Sequence, residues 1–92
     1  MNKIQQLDLM DKVQRELEDL KNSQTSILKK VSQIAAHNIT LGVDFLDDKL
    51  SDLEEQVNAT LTITSDLSEA FAEHRTKFFS DNKLAAAVDP TT

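Results

Sequence analysis

The chain has 92 residues with one Gly and one Pro, where average usage of about 7% and 5% would give roughly eleven of the two together. So few turn-formers exclude a β-sandwich or barrel, and a chain without Cys, Trp or Tyr has no disulfide framework, thiolate metal site or aromatic base-stacking platform. Sixteen Asp and Glu against ten Lys and Arg give a net charge of −6, the wrong sign for neutralising phosphates, so no direct nucleic-acid partner is expected. With 39% hydrophobic residues the chain can supply one packed face of one small domain but little deep core.

Taken in chain order, Met1 to Gln6 lack an apolar signal core, and the longest apolar run, Leu84 to Val88, is far short of the ~20 residues needed to span a bilayer. No membrane insertion and a cytoplasmic location are the expectation. From Met10 the apolar residues step by three and four through Val13, Leu17, Leu20, Ile27, Val31, Ile34 and Leu41, with Gln24 and Asn38 at the two skipped places. This heptad seam predicts a helix over about residues 3–40. Continuing its phase past Leu41 would put Asp48 and Asp52 in a core, so the pattern breaks near Gly42, the chain's only glycine. Gly42 reads as the residue that closes the first helix and Asp44 as the N-cap of a second, with Asp47 in a capping-box-like position three residues on.

The second seam, Leu46, Leu50, Leu53, Val57, Leu67, Phe71 and Phe78, carries Thr60, Thr64 and His74 at the intervening places and predicts a helix over about 45–79. Charge placement agrees with two helices: Lys29, Lys30 and His37 toward the end of the first, Asp44, Asp47, Asp48 and Asp52 at the start of the second, and His74, Arg75 and Lys77 toward its end. Residues Ala59 to Thr64 alternate β-branched and aliphatic side chains, which predicts a locally weak helix held by packing more than by propensity. Ser80 can cap a short terminal helix over about 81–88, followed by a flexible tail over 89–92.

If the chain reverses at Gly42, residues at equal height have indices summing to about 84. The two seams then meet, Ile34 with Leu50, Val31 with Leu53, Ile27 with Val57, Leu17 with Leu67 and Val13 with Phe71. The expected fold is therefore all-α: a coiled-coil-like two-helix antiparallel hairpin, ~60 Å long at 1.5 Å per residue, which assembles into a helical bundle. The competing architecture is a continuous parallel coiled coil of ~140 Å. Gln24, Asn38, Thr60 and Thr64 interrupt the aliphatic core, as residues that set register do. Leu28 and Ala35 on the first helix and Leu61 on the second form a flank left over beside the seam; with Ile39, Ile63 and Phe79 they are the expected partner interface.

Chemistry is sparsely signalled. His37 and His74 belong to no ligand spacing, and no Gly-rich phosphate loop, nucleophile elbow or Cys nucleophile occurs, so no catalytic, cofactor or metal residues are assigned and an enzyme is not expected. Asp44, Asp47, Asp48, Asp52 and Glu55 share one broad face that complements the helix dipole and could imitate a phosphate backbone. The sequons Asn38-Ile39-Thr40 and Asn58-Ala59-Thr60 read as chance matches. The expected function is a non-enzymatic interaction module, a small scaffold subunit or oligomerisation element, whose helical partner is either a second copy or another coiled-coil subunit. The alternative is an acidic inhibitor occupying a basic surface of a nucleic-acid-binding protein through residues 44–55. In length, lack of Cys and a turn near the middle, the chain also resembles the small secreted helical hairpins of bacterial type VII secretion. The Trp-x-Gly of that family's turn is here Thr40-Leu41-Gly42. This resemblance implies a secreted hairpin as a further alternative.

Overall fold

The computed structural model describes residues 1–84, so the expected helix over 85–88 and the tail over 89–92 lie outside the described residues. Two helices, α1 (Lys3–Leu41) and α2 (Asp44–Asp81), pack antiparallel as one hairpin with extents of 64 × 20 × 20 Å. That length matches a 39-residue helix rising 1.5 Å per residue and rules out the extended coiled coil.

Each helix end has a local cause. Asn2 opens α1 with a capping box: its side chain accepts from the Gln5 backbone N–H at 2.8 Å, and its own N–H donates to Gln5 Oε1 at 2.9 Å. Gly42 closes α1 in the left-handed conformation, φ 67 and ψ 36, and donates its N–H to the Asn38 carbonyl at 2.7 Å. The expected N-cap of α2 is corrected by one residue. Val43 holds that place, Asp44 is already helical, and the capping bond comes from Asn38 across the turn rather than from α2 itself. Asp44 and Asp47 do occupy the first turn, but the last turn of neither helix carries a base. Lys29, Lys30, His37, Arg75 and Lys77 lie further in, where the terminal dipole has faded.

Residues 59–64 are continuous helix, within which the hydroxyls of Thr60, Thr62 and Thr64 bond back to the carbonyls of Val57, Asn58 and Thr60. Among the described residues Ser80 opens no helix: it lies inside α2, which runs on to Asp81, and residues 82–84 form a turn. In that turn Lys83 adopts a left-handed φ of 53, its N–H bonds the Ser80 carbonyl, and the Leu84 N–H bonds the Phe79 carbonyl. These are the two bonds of a Schellman ending, with lysine where glycine is usual.

The register is close to that read from the sequence. Gln14 bonds Ser68, Glu18 accepts from Ser68 and Asp11 pairs with Arg75, pairs whose indices add to 82–86. The rotation of the helices about their own axes differs. The positions shared by both patterns, Val31 and Asn38 on α1 and Leu50, Val57 and Thr64 on α2, are buried. Beside them the hairpin closes over the flank of Leu7, Gln14, Lys21, Leu28 and Ala35, facing Leu61, Ser68 and Arg75, all buried or half-buried. It leaves Leu20, Ile27, Ile34 and Leu41 exposed, and likewise Leu53 and Leu67. The expected facing pairs therefore each keep at most one member in the core.

Two substitutions test the ends. An added Cβ on Gly42 would meet nothing within 4 Å, so Gly42→Ala should cost only the left-handed backbone penalty of about 1–2 kcal/mol, and Gly42→Asn less. Lys83→Gly should raise stability by a fraction of that penalty, since glycine's entropy cost of about 0.5–1 kcal/mol offsets part of it. Urea unfolding followed by circular dichroism measures both.

Candidate partner-binding face

The seven-residue repeat places Val13, Leu20, Ile27, Ile34 and Leu41 in one line along α1 and Leu46, Leu53, Thr60, Leu67 and His74 in one line along α2. Each line lies three residues on from buried positions of its helix, Val31 and Asn38 on α1 and Leu50, Val57 and Thr64 on α2. In an antiparallel pair that displacement carries both lines to the same side of the hairpin. Relative exposures are 47% for Leu20, 50% for Ile27, 37% for Ile34, 46% for Leu53 and 50% for Leu67. One side of the molecule is thus an aliphatic stripe, with Thr60 as the polar interruption near its middle. Leu9 and Ile63, both exposed, stand at its margins.

What holds the opposite flank shut is polar. Ser68, 4% exposed, donates its hydroxyl to Glu18 Oε1 at 2.8 Å and accepts from Gln14 Nε2 at 2.9 Å. Asp11 meets Arg75 in a two-pronged ion pair at 2.8 and 3.3 Å, and the same guanidinium lies 5.3 Å from the Phe79 ring centroid. At the same open end Lys3 Nζ sits 5.5 Å from the Phe78 ring. The side-chain oxygens of Gln14 and Gln24 are buried with no hydrogen-bond partner, so the middle of the seam is polar and imperfectly satisfied.

Asn38, only 1% exposed, joins the two helices at the turn. Its Nδ2 donates to the Val43 carbonyl at 2.9 Å and to Asp47 Oδ1 at 2.7 Å, and its Oδ1 accepts the Val43 N–H at 2.9 Å. Three bonds from one side chain bind the last turn of α1 to the first turn of α2. The same bonds occupy the amide of the first sequon.

The residues singled out from the sequence are distributed as follows. Of the expected partner interface, Leu28, Ala35 and Leu61 are half-buried on the closed flank and serve the hairpin itself. Ile39 and Ile63 are exposed, at 85% and 65%, and Phe79 is half-buried beside Arg75. Among the expected register-setting residues, Asn38 and Thr64 are buried and Gln24 is half-buried, whereas Thr60 is exposed on the stripe. Asp44, Asp47, Asp48, Asp52 and Glu55 are all exposed and lie away from the stripe. His37 and His74 are exposed as well, the latter with its ring 6.0 Å from Phe71.

Sequence reasoning missed Gln14, Glu18 and Ser68, which lie outside the seams it traced; the signal available was a serine recurring seven residues after Leu61. It also placed the stripe residues inside. The surface offers shallow grooves, one of them running along α1 past Asp11, Arg15 and Glu18. Among the described residues no group of three or more His, Cys, Asp or Glu is placed to hold a metal ion, and no helix is long and apolar enough to cross a membrane. No protein-family model, curated protein or solved structure matches the chain.

Asn38→Ala should cost about 2–3 kcal/mol, because it strands a buried N–H and carbonyl at the turn. Ser68→Ala should cost about 1–2 kcal/mol. Asp11→Asn should cost less than about 1 kcal/mol, the ion pair being partly exposed, and only this last effect should shrink in high salt. Chemical denaturation at two ionic strengths separates the three.

Proposed function

We propose that the chain is a non-enzymatic helical interaction module, a small scaffold subunit or oligomerisation element whose aliphatic stripe receives partner helices. The observation that carries this reading is the choice of flank. A solitary hairpin in water gains most by burying its most apolar flank. This one turns half-buried Gln14 and Lys21 and buried Ser68 inward beside Leu7, Leu28 and Leu61, and keeps Leu20, Ile27, Ile34, Leu53 and Leu67 outside. A contiguous apolar patch of this kind on a small chain marks a protein-contact surface. The polar bonds on the closed flank give the reason for the choice, since they hold the hairpin together without consuming the stripe. Two α-helices also enclose no core of their own, and helical bundles complete one by adding helices.

The test is photo-cross-linking in the native host. A benzoylphenylalanine at Ile27 or at Leu53 should give discrete protein adducts, whereas the same residue at Asn22 or Glu69, on the outward side, should give few. Equal yields at all four positions would remove the support for the stripe as a contact surface.

A further inference from the structure

We infer that the occupant of the stripe is a second copy of this chain, laid face to face and antiparallel about a two-fold axis perpendicular to the long axis. The inference rests on the reading of the stripe as a contact surface and adds its partner.

Three observations select this arrangement. The first is the order of residues along the stripe. The stripe is built of staggered levels whose indices add to 87, one to five residues off the hairpin register: Ile34 near Leu53, then Ile27 near Thr60, then Leu20 near Leu67. The polar level is the middle one. An axis through it places Ile27 on Ile27 and Thr60 on Thr60 of the other copy, and sets Leu20 on Ile34 and Leu53 on Leu67. Every aliphatic side chain then meets an aliphatic one, and the two threonines meet each other, where their hydroxyls can pair. An axis along the molecule would instead press Ile27 against Thr60 twice.

The second observation is charge. The turn end, residues 29–41 with 44–55, holds six acids and three bases, Lys29, Lys30 and Lys49. The open end, residues 3–15 with 70–84, holds six bases and four acids. Antiparallel stacking sets the acidic turn of each copy over the more basic open end of the other. Stacking with both turns at one end would bring the two acidic segments together, which is costly for unscreened like charges. The third is area. The hairpin outline of 64 by 20 Å, about 1,300 Å², leaves room on one side for the ~800 Å² per partner of a standard stable interface.

The full chain, purified alone, should elute with twice its 10.3 kDa mass in light-scattering chromatography from about 1 to 100 µM, the range over which a micromolar Kd shows itself. Ile27→Asp and, separately, Leu53→Asp should each weaken self-association at least about tenfold while helicity by circular dichroism is kept. The outward control Asn22→Asp should leave it unchanged. Spin labels on Thr40→Cys should lie roughly 40 Å apart in the antiparallel dimer, from 13 residues of helix on either side of the axis, against less than about 20 Å with both turns at one end. A folded, helical monomer across the whole range overturns the second copy as occupant, as does a dimer that survives both stripe substitutions; the short label distance overturns the antiparallel arrangement. The cross-linking above distinguishes these failures from failure of the contact surface: adducts at Ile27 of a mass other than two chains would keep the surface and remove self-association.

Discussion

The Asn38 side chain decides how the two helices of this molecule are turned toward each other. A helix carries the rotational phase set at one end along its length, drifting by only about 20° per heptad. The three bonds from Asn38 to Val43 and Asp47 fix the first turn of α2 against the last turn of α1 across a two-residue link. From that fixed start, Val57, Thr64 and Ser68 arrive inside at successive turns, and Leu53 and Leu67 arrive outside. Gly42 makes this possible, because a left-handed residue closes α1 and delivers Val43 to the amide. The clamp and the stripe are thus one feature seen at its two ends.

The seam that results is stabilised unevenly. Aliphatic layers lie toward the turn, at Val31, Leu50 and Val57, and Leu7 and Leu84 are buried at the open end beside the aromatic contacts of Arg75 and Lys3. Between them runs a polar stretch of Gln14, Glu18, Gln24, Thr64 and Ser68, with two unpartnered amide oxygens. Polar contacts of this sort add specificity more than stability, since each replaces bonds to water. Covering the stripe adjacent to that stretch would supply the apolar burial that the seam lacks.

Charge and shape divide the surface into distinct regions. The acids of residues 44–55 lie near the turn and away from the stripe, so the aliphatic face is flanked by few charges while the outer surface is hydrated. This separation allows close helix packing on one side and solubility on the other. The groove along α1 is open to solvent and lined by charged and polar side chains, Asp11, Arg15 and Glu18 among them.

Much of the architecture was legible in the residues alone: two long helices from the three-and-four spacing, their separation at the only glycine, and a register within two residues of that observed. Those features follow from local geometry, and local geometry is written in period and in turn chemistry. Which apolar flank stays exposed was not legible. Beside the positions that both patterns bury lie two flanks, one with Leu20, Ile27 and Ile34 and the other with Gln14, Leu28 and Ala35, and a seven-residue repeat allows either to turn inward. Hydropathy favours the first, which is why Leu28, Ala35 and Leu61 read as surface and Leu53 and Leu67 as core. The tertiary structure decides for the second, because Asn38 to Val43, Ser68 to Gln14 and Glu18, and Arg75 to Asp11 join residues 5 to 64 positions apart. Interactions of that kind depend on which side chains meet across the hairpin, and the periodicity of one helix carries no record of them.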